Sequence, residues 1–276
     1  MEKETLTFKD IVFFILFLLL LAIPVYLAYQ MLIPTQQPEP EQKQQEQTQD
    51  ETNAQPEEEP YDGPHYEEIF KNIEGQMAYI AVPTNIKEEN KPSIVVYSHG
   101  SNTTVTSDTD DEFIQDLQKY GELYTKSNMI FAASNQHGAN WGSTTAINDT
   151  KNMINWIISN YKTSEKIYLL GFSMGGLPTM NFATTYPENI LKIALLAPTS
   201  KSNEWNKARI EKLANIDIQI WHGTSDVNVP YYLSTTLVSK FKSLGGDIQL
   251  ITLNGKTHWD LDTEYMQEIL DYFLAN

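Results

Sequence analysis

Short apolar runs alternate with segments of helical length from residue 65 to residue 276, and this alternation limits the possible folds more than any other feature. Two of the runs contain continuous apolar stretches, Ile-Val-Val-Tyr and Ile-Ala-Leu-Leu, which are typical of strands covered on both faces. The alternation predicts an α/β fold with a doubly wound, mostly parallel sheet and helices on both faces. The predicted strands are 76–82, 93–98, 129–133, 166–171, 191–196, 216–221 and 247–253, with helices near 110–127, 143–161, 174–186, 230–244 and 261–275.

The N-terminus differs in composition, because residues 11–33 form 23 positions without a charged side chain. At about 1.5 Å per residue, a helix of this length crosses a hydrocarbon layer of roughly 30 Å. A cleaved signal peptide is the alternative, but its apolar region is usually about 7 to 15 residues long, and no small-x-small cleavage site follows here. Lys3 and Lys9 precede the run, and only Lys43 follows it closely. The sequence therefore predicts a single-pass cell-membrane anchor, with residues 1–10 in the cytoplasm and the rest on the extracytoplasmic side.

Residues 34–64 are rich in Gln, Glu and Pro and contain almost no large apolar side chain. Such a segment cannot bury enough apolar surface to offset the entropy of ordering it, so it is predicted to be a disordered linker, with a partner-binding tail as the alternative. Of the formal net charge of −17, this linker carries −8 and residues 1–33 carry −1, which leaves −8 for a domain at 65–276. The acidic balance argues against nucleic acid as a partner, and the lack of cysteine excludes disulfides and a Cys nucleophile.

The strongest local pattern is Gly171-Phe172-Ser173-Met174-Gly175, which follows an apolar strand and opens a predicted helix. In that position a G-x-S-x-G pattern predicts a tight strand-to-helix turn that exposes the serine hydroxyl at the sheet edge. Side chains at 171 and 175 would collide with neighbouring backbone, and the helix N-terminus favours the negative charge that develops during attack. Ser173 is therefore the candidate nucleophile, with a helix-capping serine as the structural alternative.

A serine nucleophile needs a base that accepts its proton, and the chain has five histidines, at 65, 99, 137, 222 and 258. Only His258 lies between the last predicted strand and the last predicted helix, whereas His137 follows an earlier strand and could line the site. The strand before His258 leads into a loop in which Asp226 is the only acidic residue. The chain order Ser173, Asp226, His258, each at a strand exit, is the order expected of a catalytic triad on this sheet.

Acyl transfer also requires N–H donors that stabilise an oxyanion. One is expected at the backbone of Met174, directly after the nucleophile. The second is expected at Ser101, because an apolar strand ends just before it in His-Gly, with Asn102 as the alternative.

The substrate pocket has weaker signals. Trp141 and Trp259 are candidate apolar walls, and Trp205 is a further one, although each is also compatible with ordinary packing. Only the interval 197–215 separates two of the predicted strands, where folds of this type often carry a lid. The sequence therefore predicts a minimal lid and an open site.

Four segments, SHGSN (98–102), GFSMGG (171–176), HGTSDVNVP (222–230) and KTHWD (256–260), resemble α/β-hydrolase-fold enzymes in sequence order, over roughly residues 75–276. The third is similar to esterases and peptidases of the dienelactone hydrolase and prolyl oligopeptidase-like branches, and the second to monoacylglycerol lipase-type enzymes. The resemblance implies a Ser173–His258–Asp226 triad and acyl-enzyme chemistry. The HGGG pattern of hormone-sensitive-lipase-like esterases is absent, so the oxyanion geometry of that branch is not implied.

Together these features predict a membrane-anchored serine hydrolase that cleaves a small-molecule or lipid-like carboxylic ester. Peptide cleavage or acyl transfer by the same triad is an alternative, and a non-catalytic tethered binding module is another. Neither a metal nor an organic cofactor is expected for this chemistry.

Overall fold

A computed structural model describes residues 65–275, and this range folds into an α/β domain. Its strands are β1 (Tyr66–Ile73), β2 (Gln76–Pro83), β3 (Ser93–Ser98), β4 (Met129–Ser134), β5 (Ile167–Phe172), β6 (Ile190–Leu196), β7 (Asp217–Gly223) and β8 (Gln249–Leu253). Its α-helices are α1 (Glu112–Lys126), α2 (Thr144–Asn160), α3 (Gly176–Thr185), α4 (Lys207–Glu211), α5 (Tyr232–Ser243) and α6 (Met266–Leu274).

The predicted stub at 1–10, anchor at 11–33 and linker at 34–64 all lie outside the described residues. None of the helices in residues 65–275 has the length and apolar character of a transmembrane span.

The eight strands form one sheet in the order β1-β2-β4-β3-β5-β6-β7-β8. The pairs from β4 through β8 are parallel, whereas β1 pairs with β2, and β2 with β4, in antiparallel fashion. The predicted α/β fold with a mostly parallel sheet is therefore confirmed. All seven predicted strands occur, with ends that differ by at most two residues.

The edge strand β1 was not predicted from the sequence. It carries Glu67, Glu68 and Lys71, and much of its length is exposed. A strand at a sheet edge with one solvated side lacks the continuous apolar run that identifies a central parallel strand. The sequence signal was therefore weak, and only pairing with β2 reveals the strand.

Both faces of the sheet are covered by helices. In β3, Ile94 and Val96 belong to a core cluster that includes residues of α2, α3 and α5. Val95 and Tyr97 belong to a second cluster, with residues of α1 and α6. Because successive side chains of a strand point to opposite faces, a sheet covered twice requires apolar residues at consecutive positions.

The segment between β6 and β7 is short, as expected. It contains one 3₁₀ turn (Ser202–Glu204) and the five-residue α4. Within residues 65–275, no large insert therefore covers the C-terminal ends of β3, β5, β7 and β8. Loops from these ends meet at one edge of the parallel sheet, where ligands bind in open α/β sheets.

A partly buried carboxyl group lies in the segment that leads into α6. Tyr97 Oη donates to Asp262 Oδ1 at 2.8 Å, and the Tyr120 hydroxyl donates to the Asp262 carbonyl oxygen. Burial raises the pKa of Asp262 to about 6. A carboxyl group with a raised folded-state pKa favours the fold at low pH. Its contribution is lost as the pH rises through about 6, because the group must then ionise where charge is disfavoured.

Asp262→Asn is expected to raise the free energy of unfolding at pH 8 by about 1–2 kcal/mol, after allowance for partial exposure, and to raise it less at pH 5. The amide oxygen still accepts the Tyr97 hydroxyl, so the local hydrogen bond is kept. Urea denaturation at the two pH values measures the change. Asp260→Asn is the matched control, because the Thr257 N–H and hydroxyl lower the pKa of Asp260. It should act with the opposite sign, and a loss of stability in Asp262→Asn at pH 8 would contradict this account.

Candidate active site

The candidate nucleophile lies in a 3₁₀ turn (Ser173–Gly175) between β5 and α3. Ser173 has φ of 54°, a left-handed conformation that residues other than glycine rarely adopt. A Cβ atom on Gly175 would lie 1.9 Å from the Ser98 carbonyl oxygen, and one on Gly171 would lie 2.8 Å from the Gly175 carbonyl oxygen. The predicted collisions at 171 and 175 are therefore confirmed, and the turn lies directly against the end of β3.

Three candidate site residues form a chain of hydrogen bonds. Ser173 Oγ lies 3.0 Å from His258 Nε2, and His258 Nδ1 lies 2.7 Å from Asp226 Oδ2. All three residues are buried. A carboxylate only accepts hydrogen bonds, so His258 carries its proton on Nδ1, and Nε2 is free to accept the proton of the serine hydroxyl. This arrangement is able to generate a serine nucleophile.

The loop after β7 holds the Asp226 carboxylate in place. Its Oδ1 atom accepts the backbone N–H groups of Asn228 and Val229, at 2.9 and 2.8 Å. These donors hold one oxygen of the group, which leaves Oδ2 directed at His258. The loop backbone thus orients the Asp226 carboxylate toward the imidazole of His258.

His222 lies behind this carboxylate and is fully buried. Its Nε2 atom lies 2.8 Å from the Val229 carbonyl oxygen and 3.3 Å from Asp226 Oδ2, and its Nδ1 atom lies 2.7 Å from Ser234 Oγ. Burial lowers the pKa of His222, so the ring is neutral. Since a carbonyl oxygen only accepts, Nε2 carries the proton and Nδ1 accepts the Ser234 hydroxyl. No signal in the sequence identifies this contact with Asp226.

The backbone at Gly100 lies close to the nucleophile, since a Cβ atom on Gly100 would lie 3.7 Å from the Ser173 Cβ atom. The Gly100 carbonyl oxygen lies 2.7 Å from His99 Nδ1 and accepts the Thr103 hydroxyl at 3.1 Å. The C=O and N–H groups of a trans peptide point in opposite directions, so the N–H of Ser101 points away from these two partners. Ser101 itself lines the cleft beside Ser173. Its predicted role as an oxyanion donor is compatible with this position.

Met174 provides the other predicted N–H group. It is the second residue of the 3₁₀ turn, and the first N–H groups of a helix have no acceptor within that helix. Its role as an oxyanion donor stays a prediction. Asn102, the alternative to Ser101, also lines the cleft.

A cleft of about 270 Å³ opens above Ser173. Trp141 and Trp259 line it, and both are exposed. His137 does not line it, contrary to the prediction, because its ring turns to the buried Asp149 carboxylate, with Nδ1 and Oδ2 2.6 Å apart. Trp205 does not line it either, since it is buried against Phe241 in the core cluster that contains Ile94 and Val96.

The loop that carries Trp141 has an unusual backbone. Gln136, His137 and Trp141 have φ of 47°, 60° and 48°. Such conformations are costly outside glycine and need support from their surroundings. Gln136 donates through Nε2 to Ser98 Oγ and Thr150 Oγ1, which ties the loop to β3 and α2. The strained loop therefore holds Trp141 in place at the edge of the cleft.

Comparison with known proteins agrees with this architecture. The chain matches the sequence model of a family described as alpha/beta hydrolase fold over residues 94–217. Comparison with curated protein sequences found no match. A thermostable esterase of known structure is similar with a TM-score of 0.56 and 17% identity, and the match covers 75% of this chain and 62% of that chain.

Two further solved structures are similar over a comparable share of the chain. S-formylglutathione hydrolase from Staphylococcus aureus has a TM-score of 0.58 and 15% identity, with 76% of this chain and 96% of that chain covered. The acylaminoacyl peptidase from Pyrococcus horikoshii has a TM-score of 0.57 and 14% identity, with coverages of 75% and 42%. This chain thus spans less than two thirds of the esterase and less than half of the peptidase. At such identities the likeness establishes the fold.

Proposed function

The chain has the α/β-hydrolase fold, and from this premise we propose that it is a serine hydrolase in which Ser173 is the nucleophile. The proposal rests on the hydrogen-bonded chain that runs from Asp226 through His258 to Ser173 at the base of an open cleft. A serine held in a left-handed conformation adds weight, since strained backbone is concentrated at functional sites.

In the proposed reaction, Ser173 Oγ attacks the substrate carbonyl while His258 Nε2 accepts the hydroxyl proton. Asp226 stabilises the imidazolium that forms and keeps its Nδ1 proton directed at Oδ2. The N–H groups of Ser101 and Met174 donate to the developing oxyanion. His258 then returns the proton to the leaving group, and a water molecule activated by the same histidine releases the acyl group from Ser173.

A carboxylic ester is the proposed substrate class. The esterase among the similar structures supports it, and so does the minimal lid, which leaves the cleft open. Peptide cleavage is the second candidate, because an acylaminoacyl peptidase is also among the similar structures. A tethered binding module is the less favoured alternative, because it gives no reason for a serine, a histidine and an aspartate to be aligned in this way.

We also propose that residues 11–33 anchor the protein in the cell membrane, with the domain on the extracytoplasmic side. The uncharged run and the lysines that precede it support this proposal. In this arrangement residues 34–64 act as a spacer between the membrane and the domain.

Hydrolysis of p-nitrophenyl acetate by the purified full chain tests the enzymatic proposal. We expect turnover faster than that of p-nitroacetanilide, with an initial burst of p-nitrophenolate if release of the acetyl group limits the rate. Faster cleavage of the anilide would favour the peptidase alternative. A folded chain that cleaves neither compound would favour the binding module.

A further inference from the structure

The cleft at Ser173 has no formal charge in its lining. Among the described residues that form its wall, His258 is the only one with a titratable side chain, and the polar ones are neutral, such as Asn102, Thr103 and Asn228. A charged group that enters a confined site without an oppositely charged partner loses hydration that nothing replaces. The cleft therefore discriminates against substrates that carry an ammonium or carboxylate group close to the scissile bond.

The cationic side chains beside the cleft are turned to other partners. Lys201 and Arg209 line a neighbouring pocket that shares only Thr199 with the cleft. Lys201 lies 3.7 Å from the Glu204 carboxylate. The Arg209 guanidinium stacks over the Trp205 ring at 4.0 Å from its centroid. Within the described residues, neither cation lines the cleft to bind an anionic substrate.

Two exposed apolar side chains line the cleft, and two more directly adjoin lining residues in the sequence. Trp141 and Trp259 line the cleft and are 52% and 61% exposed. Val227 is 87% exposed and lies between Asp226 and the cleft-lining Asn228. Tyr232 is 62% exposed and adjoins Leu233, which also lines the cleft.

These four side chains form what we call the apolar rim (Trp141, Val227, Tyr232 and Trp259). They are four of the seven large apolar side chains that are exposed in residues 65–275, the others being Ile158, Leu191 and Leu274. Exposed apolar residues scattered singly are ordinary, but a group of them around a neutral cleft marks a surface that contacts apolar matter. Trp141 and Trp259 line the cleft itself, and Val227 and Tyr232 each adjoin a lining residue in the sequence, so we infer that the group covering the rim belongs to the substrate.

We propose that the substrate is an uncharged, lipid-like ester whose apolar chain leaves the cleft and lies across the apolar rim. This inference rests on the proposed function of Ser173 and adds the chemical class of the ester. The scissile carbonyl lies at Ser173, the neutral lining accepts the atoms next to it, and the rim removes the remaining methylene groups from water.

Three p-nitrophenyl esters test the inference with the full chain, at one fixed concentration of a non-ionic detergent. They are the acetate, the octanoate and the hydrogen suberate, which has the length of the octanoate but ends in a carboxylate. We expect kcat/KM for the octanoate to exceed kcat/KM for the acetate by about tenfold or more, because the octanoate buries more methylene groups. We expect the same margin over the hydrogen suberate, because its terminal carboxylate loses hydration in the neutral cleft.

The double variant with Val227→Ser and Tyr232→Ser is expected to prefer the octanoate less strongly. Its ratio of kcat/KM for the octanoate to kcat/KM for the acetate should fall about fivefold. Ile158→Ser, an exposed position on α2, is the matched control and should leave this ratio unchanged. Because Val227 adjoins Asp226, Tyr232→Ser alone is measured as well, and thermal melting verifies that each variant is folded.

The outcomes separate the two proposals. If no ester is cleaved by the folded chain, the proposed function fails. If the acetate is cleaved but the octanoate is not preferred, or the hydrogen suberate is cleaved equally well, only the lipid-like substrate is contradicted. The same holds if both rim variants keep the wild-type ratio.

Discussion

Replacing His258 with alanine is expected to lower kcat for ester hydrolysis about 10⁶-fold, because the Ser173 hydroxyl then has no base that accepts its proton. His258 Nε2 lies 3.0 Å from Ser173 Oγ, and no other histidine lines the cleft in the described part of the chain. The oxyanion donors remain, so a residual rate above that in water is expected. Steady-state kinetics with a p-nitrophenyl ester measures the loss.

His65→Ala is the matched control for this variant. His65 is exposed at the start of β1, on the antiparallel edge of the sheet, and its loss should leave kcat unchanged. A His258→Ala variant that keeps more than about a hundredth of the wild-type kcat would show that another group takes the serine proton.

Asp226→Asn is expected to lower kcat on the order of 10⁴-fold while the domain stays folded. The amide oxygen of asparagine still accepts the N–H groups of Asn228 and Val229, so the loop is kept. The amide NH₂ group then faces His258 Nδ1 and requires a lone pair there. The imidazole proton moves to Nε2, where it points at Ser173 and blocks proton transfer.

Asp271→Asn, the same change at an exposed position of α6, is the matched control and should keep the wild-type kcat. Thermal melting of both variants distinguishes a catalytic loss from unfolding. If Asp226→Asn retained a tenth of the wild-type kcat or more, orientation of His258 by this carboxylate would not be needed for the reaction.

The parallel part of the fold was predictable from the sequence. Strands β3 and β6 are apolar at consecutive positions because helices cover both faces of the sheet, and that pattern needs no long-range information. β1 was not predictable from the sequence, because its charged residues face solvent at the edge of the sheet. The sequence also predicts a start for α6 near residue 261, which is too early. The segment at 256–265, in which Asp262 accepts a hydrogen bond from Tyr97, forms turns, and the helix begins at Met266.

Much of the candidate site was predictable from the sequence, because its residues lie in loops that follow the C-terminal ends of strands. Ser173, Asp226 and His258 each follow a parallel strand, and the C-terminal ends of such strands meet at one sheet edge, which is where the structure brings the three together. The contact between His222 and Asp226 depends on how the loop after β7 folds back on its strand. The direction of the His137 ring depends on Asp149, a residue of the following helix. Neither contact has a local sequence signal.

Labelling by a fluorophosphonate probe shows whether Ser173 is an activated nucleophile. The full chain is treated with the probe, digested and mapped by mass spectrometry, with Ser173→Ala as the control. We predict a single adduct on the peptide that contains Ser173, no adduct in Ser173→Ala, and strongly reduced labelling in His258→Ala. A folded wild-type chain that takes no label, or a label that persists in Ser173→Ala, would contradict the account.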